Sequence, residues 1–137
     1  MPQPILGPAG PTTTTPPAVE TLTKVIKVDT SAGDATGFLA CVLPKGAIVI
    51  GVYTISSGAN ATQTISVGIT AGGTQFLNAF APNSTGYAVA GTAAGSYVLA
   101  GTAMTADTPV YAKASAALTN SVLVKLEYYI PQQGNTW

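Results

Sequence analysis

The chain has 137 residues and a formal net charge of zero at pH 7, with five Lys, five Asp or Glu, and neither histidine nor arginine. Charged residues make up 7% of the chain, against about 25% in an ordinary soluble domain. The side chains that carry most acid–base, phosphate and metal chemistry are therefore scarce, and so is the like-charge repulsion that keeps monomers apart. This composition predicts a structural protein that is covered by neighbours rather than an enzyme.

Residues 1–19 form a predicted extended arm that is rich in proline and threonine. Proline fixes φ and lacks an N–H group, so the stretch favours polyproline II over a helix or a central strand. Two interpretations stay open: a disordered linker, or an arm that lies along a partner and orders on contact. In the second interpretation the contact residues are Pro2, Pro4, Ile5, Leu6, Pro8, Pro11, Pro16 and Pro17, with Ile5 and Leu6 as apolar anchors.

Residues 20–131 form a predicted β-sandwich body, followed by a C-terminal tail of residues 132–137. The segment 122–130 shows the clearest period of two, because five apolar residues share one face while Lys125 and Glu127 lie on the other. In the segment 48–53 apolar residues occupy both faces, which predicts a strand covered on both sides. Further strands are predicted in the segments 22–28, 38–43, 65–69, 96–100 and 109–115.

The pattern changes between residues 69 and 96. Phe76, Leu77 and Phe80 have the spacing of one helix face, which predicts a short helical turn in residues 74–81 that ends at Pro82 and plugs one end of the sandwich. Residues 83–95 are predicted to be a long loop that contains a short strand. The whole pattern predicts an all-β fold: a jelly-roll-like β-sandwich of about eight short strands, one short helix and the extended arm.

No catalytic residue, cofactor-binding residue or metal ligand is predicted. Catalysis needs a group with a pKa near neutrality beside a nucleophile or substrate, and no such spacing occurs. Cys41 lies in an apolar run and is predicted to be a small buried hydrophobe. Asp29 and Asp34 bracket a segment that fits a turn better than a calcium loop. Lys24 and Lys27 alone do not make a nucleic-acid site, and no apolar run approaches the ~20 residues of a membrane helix.

Aromatic residues are the remaining candidates for contact with a partner. The aromatic residues predicted as possible interface anchors are Tyr87, Tyr97, Tyr111, Tyr129 and Trp137. Near the C-terminus, Tyr129 and Trp137 fit edge-strand fillers equally well. Tyr87, Tyr97 and Tyr111 also fit a carbohydrate-binding site, so a binding module stays open as an alternative.

Short motifs over roughly residues 38–131 resemble the capsid decoration, or cement, proteins of tailed phages. The motifs are Leu43-Pro44-Lys45-Gly46-Ala47 before a long strand, Gly72-Gly73-Thr74-Gln75-Phe76-Leu77, and a closing Leu126-Glu127-Tyr128-Tyr129-Ile130-Pro131. The resemblance implies a jelly-roll protein that binds the outer surface of the virion head as a dimer or trimer between major capsid subunits. It carries over no catalytic residue or cofactor. The alternative function is the base of a phage fibre or spike that binds carbohydrate.

Overall fold

The structure is a computed structural model that describes residues 20–30 and 35–131. The predicted arm with all of its contact residues, the predicted tail with Trp137, and Asp34 lie outside the described residues. The strands are β1 (Leu22–Val28), β2 (Phe38–Leu43), β3 (Ile48–Ser56), β4 (Ile65–Gly68), β5 (Leu77–Phe80), β6 (Gly86–Val89), β7 (Thr108–Ala114) and β8 (Val122–Tyr129). A 3-10 turn (Gly91–Ala93) and the helix α1 (Ser96–Ala100) lie between β6 and β7.

The strands form two antiparallel four-stranded sheets. The first sheet has the order β1-β8-β3-β6 and the second has the order β2-β7-β4-β5. The pairs nest, since β1 lies beside β8, β2 beside β7, β3 beside β6 and β4 beside β5. A long hairpin that is rolled up produces this nesting, and the result is a jelly roll. The prediction of an all-β, jelly-roll-like sandwich is confirmed.

The core lies between the two sheets and follows the strand period of two. In β8 the side chains of Val122, Val124 and Leu126 are fully buried, and Tyr128 is nearly so. From the second sheet β7 contributes its own alternate residues Val110, Ala112 and Ala114, which are also fully buried. The alternation predicted for residues 122–130 is therefore what fixes the inner face of the first sheet.

Two local predictions are wrong. Residues 96–100, which are predicted as a strand, form α1, and this helix ends at Gly101 in the left-handed conformation that glycine favours (φ 65°). Residues 77–80, which are predicted as helical, form β5. The backbone N–H of Phe76 donates to the Val67 carbonyl at 2.9 Å, so pairing with β4 outweighs the helical spacing of the aromatic residues.

The position of α1 depends on one glycine. A Cβ atom at Gly95 would collide with the backbone of Gln75, so only glycine lets the start of α1 lie against that loop. The Gly95 N–H donates to the Phe76 carbonyl and the Tyr97 N–H donates to the Gln75 carbonyl, each at 2.9 Å. These long-range contacts fix the position of α1. No helix in the described parts of the chain is long and apolar enough to cross a membrane.

A β-bulge in β3 sets which of its residues are buried. The register with β8 shifts between Val49 and Gly51, so Val49 and Val52 both point into the core although they are three residues apart. The prediction that β3 is covered on both faces is wrong within this chain. Ile50 and Ile55 are 46% and 47% exposed on the outside.

Asn60 ties three loops together at one end of the sandwich. Its side chain is fully buried, and its Oδ1 accepts the backbone N–H groups of Thr119 at 2.9 Å and Asn120 at 2.8 Å. The Asn60 N–H donates to the Pro82 carbonyl at 2.9 Å. One residue thereby satisfies donors of the loop before β8 and anchors the loop after β5.

We expect Asn60→Ala to lower the free energy of unfolding by about 2–4 kcal/mol, because two partly buried backbone donors lose their acceptor. Chemical denaturation measures this loss. Asn78→Ala is the matched control, since Asn78 is exposed and its removal should change the stability by about 0.5 kcal/mol or less. Equal losses in the two variants would contradict the role given to Asn60.

Candidate functional site

The outer face of the first sheet exposes a continuous set of large apolar side chains. Strand register places its residues in two adjacent rows that cross all four strands. The rows are Val25–Lys125–Tyr53–Val89 and Lys27–Leu123–Ile55–Tyr87. We call these eight residues the apolar face, because six of them are apolar or aromatic.

The outward direction of these side chains is forced by the core. Ile55 lies between the buried Thr54 and Ser56, and Leu123 lies between two buried valines. Side chains alternate across a strand, so a residue that lies between two core residues must point to solvent. Val25, Tyr87 and Val89 are the most exposed apolar members of the face, at 59%, 62% and 57%, and an exposed apolar set of this kind makes the face a candidate interaction surface.

Two charged groups on and beside the apolar face, Lys125 and Glu127, contact one tyrosine. Tyr53 stacks on Tyr87 with ring centroids 5.7 Å apart and an interplanar angle of 20°. The Lys125 Nζ lies 5.4 Å from the centre of the Tyr53 ring, and the Tyr53 Oη donates to the Glu127 Oε1 at 3.3 Å. Room for this arrangement comes from Gly51, where a Cβ atom would lie 2.7 Å from the Tyr53 hydroxyl.

Electrostatics raise the pKa of the Tyr53 hydroxyl further above neutrality. The negative charge of Glu127 is the main cause that raises the pKa of Tyr53, and burial and the hydrogen bond to Glu127 act in the same direction. A tyrosine whose pKa lies above its ordinary value of about 10 stays protonated at physiological pH. It therefore remains a hydrogen-bond donor to the carboxylate throughout that range.

Within the described parts of the chain, the side chains that could act in catalysis or hold a metal ion are not brought together. Burial raises the pKa of the half-buried Cys41 thiol, and the positive charge of Lys24 opposes this only in part, so the thiol is neutral near pH 7. Asp29 accepts the Thr30 N–H at 3.0 Å and lies 3.8 Å from the Lys27 ammonium. Among residues 20–30 and 35–131 no group of three His, Cys, Asp or Glu side chains is placed to hold a metal ion.

The predicted interface tyrosines lie on three different surfaces. Tyr87 belongs to the apolar face, and Tyr129 lies at the other end of the same sheet, opposite Ile48. Tyr111 lies in the second sheet. Tyr97 is in α1 and packs edge-on against Phe76, with centroids 5.8 Å apart. The structure therefore does not bring Tyr87, Tyr97 and Tyr111 into one carbohydrate site within the chain.

Sequence analysis missed Tyr53 as a site residue. The available signal was its place between Val52 and Thr54, both of which are buried. The bulge at Ile50 hid that signal, because a strict alternation from Ile48 puts Val52 on the face of Ile50 and leaves Tyr53 beside Val49.

The same fold occurs in chains of three phage capsid structures. A chain of the cyanophage Pam1 capsid asymmetric unit is 23% identical over 94% of both chains, with a TM-score of 0.56. A chain of the Ralstonia phage GP4 capsid is 16% identical over 90% of this chain and 93% of that one, with a TM-score of 0.56. A chain of the acid-stable capsid of Helicobacter pylori bacteriophage KHP30 is 15% identical over 84% and 92%, with a TM-score of 0.53.

These likenesses establish a shared fold. The fold is one that phage capsids use. No protein-family model and no curated protein matches the sequence, so the function is argued from the apolar face and from the fold.

We expect Glu127→Gln to lower the pKa of Tyr53 toward the ordinary tyrosine value, because the carboxylate charge that opposes ionisation is removed. Carbon-13 NMR of the tyrosine rings, followed with rising pH, measures this shift residue by residue. Glu20→Gln removes an exposed carboxylate ahead of β1 and should leave the Tyr53 midpoint unchanged. If Glu127→Gln leaves the midpoint of the Tyr53 titration unchanged, the contact between Tyr53 and Glu127 does not form.

Proposed function

We propose that this chain is a virion structural protein that decorates a phage head. In this proposal it binds the outer surface of the capsid as a homodimer or homotrimer and stabilises contacts between major capsid subunits. Its partners are the major capsid protein and further copies of itself. Residues 1–19 act as an arm that lies along a neighbour, residues 20–131 as the rigid body, and residues 132–137 as a tail.

The observation that carries the proposal is the apolar face. Two rows of residues cross the whole first sheet, with three apolar members more than half exposed. Burying such a face against another protein is favourable by about 25 cal/mol for each Å² of apolar surface removed from water. Many copies on one particle would multiply a modest gain through avidity.

The charges near the apolar face suit burial. An ion that loses water without a partner costs several kcal/mol, but Lys125 and Glu127 already contact Tyr53. A cation over an aromatic ring keeps a favourable electrostatic contact when water is removed. The face can therefore be covered without leaving Lys125 or Glu127 alone, and Lys27, the other cation of the face, lies 3.8 Å from the Asp29 carboxylate.

The fold supports a role in the virion. The chains of the three phage capsids match this chain over most of their lengths and share its jelly-roll sandwich. A non-enzymatic role agrees with the two pKa shifts that the structure produces. Both the Cys41 thiol and the Tyr53 hydroxyl move away from neutrality, whereas a catalytic acid or base needs a pKa near the working pH.

A second candidate, the base of a phage fibre or spike that binds carbohydrate, draws on one observation. The stacked Tyr53 and Tyr87 rings form an aromatic surface beside the exposed Asn83 and Ser84, and aromatic faces beside polar groups suit sugar rings. Copy number separates the candidates, since a decoration protein covers the head whereas a fibre base occurs at few places.

We expect Val25→Glu to weaken binding to empty heads by roughly tenfold or more, because it places an extra charge in a face that is buried when copies associate, and single copies lose the avidity of the oligomer. Co-sedimentation with heads that lack the protein measures this. The substitution suits the free chain, since Val25 lies opposite Lys125 in the register and opposite charges stabilise cross-strand pairs.

Leu99→Glu is the matched control. It makes the same charge change at a side chain that is 73% exposed on α1 and is not a member of the apolar face. Equal loss of head binding in both variants would mean that the added charge itself, and not its position on the apolar face, weakens the binding. Full binding by Val25→Glu would remove the apolar face from the contact.

A further inference from the structure

The first sheet has two edge strands, and they differ in how they are protected. β1 contains Lys24 and Lys27, and lysine on an edge strand is a common means of preventing edge-to-edge pairing. β6 contains neither a charged residue nor a proline, and no strand among the described residues pairs with its other side. The β6 edge is therefore open to a further strand.

The hydrogen-bond pattern shows which backbone groups lie on this edge. The Ala90 N–H donates to the Val52 carbonyl at 2.9 Å, and these two residues are opposite each other when the register of β6 and β3 is continued by one pair. Bonded and non-bonded pairs alternate in an antiparallel ladder. Ala88 therefore bonds to β3, whereas the N–H and carbonyl groups of Tyr87 and Val89 point to the open edge.

An independent contact supports this alternation. On the other side of β3, the Ser57 N–H donates to the Ser121 carbonyl at 3.1 Å, which continues the register of β3 and β8. The odd-numbered residues of β3 beyond its bulge therefore bond to β8, and the even-numbered residues bond to β6. The pairs that Tyr87 and Val89 form with β3 are thus the non-bonded ones.

The same two residues carry the exposed side chains of β6. Tyr87 and Val89 are both more than half exposed, and each ends one row of the apolar face at this edge. The Tyr87 ring is held by its stack on Tyr53, on the outer side of the sheet. The open edge therefore offers the backbone groups and the apolar side chains of one pair of residues.

This edge is complementary to itself. When two β6 strands pair antiparallel about a two-fold axis beside Ala88, Tyr87 of each copy lies opposite Val89 of the other. Both bonded pairs then use the backbone groups that point to the edge, and each joins an aromatic to a β-branched side chain, which is a favourable cross-strand combination. No charged side chain of β6 meets another. A second copy therefore fits the edge in geometry, apolar character and charge.

The rows of the apolar face continue across this contact. The row that ends at Val89 runs into the second copy's row that ends at Tyr87, and the reverse holds for the other row. The combined face crosses the strands of both first sheets and is not covered by the edge pairing. The edge contact therefore leaves the apolar face available for the association proposed above.

The edge contact is small. Two four-residue strands paired in this way make about four hydrogen bonds, two for each bonded pair, whereas a typical stable interface has about ten. Such a contact does not hold free copies together by itself. It does add strength between copies that a surface already holds side by side, because their effective concentration is high.

We propose that the open edge of β6 pairs antiparallel with the β6 edge of a neighbouring copy of this chain on the phage head, with Ala88 beside the two-fold axis. The inference rests on the proposed function, since the head is what holds copies side by side. The contact joins the first sheets of two copies into one continuous sheet, and main-chain hydrogen bonds link the two copies.

A symmetric disulfide tests the inference. In the proposed register Ala88 lies opposite the second copy's Ala88 in a non-bonded pair, whose Cα atoms are about 4.5 Å apart, within the range of a disulfide. Full-length Ala88→Cys is bound to empty heads and oxidised with copper phenanthroline. We expect a covalent dimer on a non-reducing gel. Mass spectrometry maps the link to position 88 and separates it from links through the half-buried Cys41.

Leu99→Cys is the control for random collision. Leu99 is 73% exposed, whereas Ala88 is partly buried, so a thiol at position 99 is the more accessible of the two. It should nevertheless give about tenfold less dimer for each bound copy, because only position 88 meets the distance that a disulfide requires.

Val89→Pro separates main-chain pairing from mere proximity. Proline lacks the N–H group that points to the edge, and the ladder with β3 is retained because Val89 does not donate to β3. In the Ala88→Cys background this substitution should lower the disulfide yield for each bound copy by about tenfold. Val89→Thr keeps the N–H group and the β-branched shape, so it should retain the yield. Circular dichroism melts check that both variants are folded.

Other outcomes overturn the inference. Heads that bind Ala88→Cys but give no link between two copies of position 88 would exclude the edge pairing and leave the proposed function intact. An equal yield from Leu99→Cys, or an unchanged yield in Val89→Pro, would show that the dimer does not depend on this register or on the main chain. Failure of the unmodified protein to bind heads would instead contradict the proposed function, so the two failures are distinct.

Discussion

Side chains alternate along a β-strand, and this constraint determines both the core and the candidate site. Burial of Val122, Val124 and Leu126 between the sheets turns Leu123, Lys125 and Glu127 outward. The outward residues of neighbouring strands then meet in rows, because antiparallel register places them opposite one another. In an ordinary sandwich such rows are polar, whereas here they contain valine, leucine, isoleucine and tyrosine. The strands of the first sheet thus contribute their inner face to the core and form a second apolar surface with their outer face.

The near absence of charge has a physical use in this arrangement. A protein whose surface is to be covered gains from uncharged side chains, since each ion buried without a partner is costly. The two charges near the centre of the first sheet are neighbours of Tyr53, which offers its ring to Lys125 and its hydroxyl to Glu127. The raised pKa of Tyr53 follows from the same contact. One tyrosine therefore accommodates both of these ions, and Lys27 is the other charged member of the apolar face.

Sequence patterns predict this fold where apolar residues alternate regularly along a strand. They fail where a contact between distant parts of the chain determines the local conformation. The period of two in residues 122–130 predicts β8, and with it the inner face of the first sheet. The bulge at Ile50 changes the phase of β3 by one residue, and no local pattern reveals it, so Tyr53 was missed. The helix at Ser96–Ala100 depends on the approach of Gly95 to Gln75, a contact between residues twenty positions apart. Tyr87 is one of the five aromatic residues predicted as possible interface anchors, and the structure places it on the apolar face.

The central claim is that the apolar face is a contact surface, and the mass of the free protein tests it most directly. Sedimentation equilibrium of the full chain over a wide range of concentrations gives that mass without any assumption about heads. We predict a defined dimer or trimer of the 13.7-kDa chain that dissociates when Ile55, at the centre of the face, is replaced by Glu. A single 13.7-kDa species at every concentration, or an oligomer that is unchanged by Ile55→Glu, would contradict the claim.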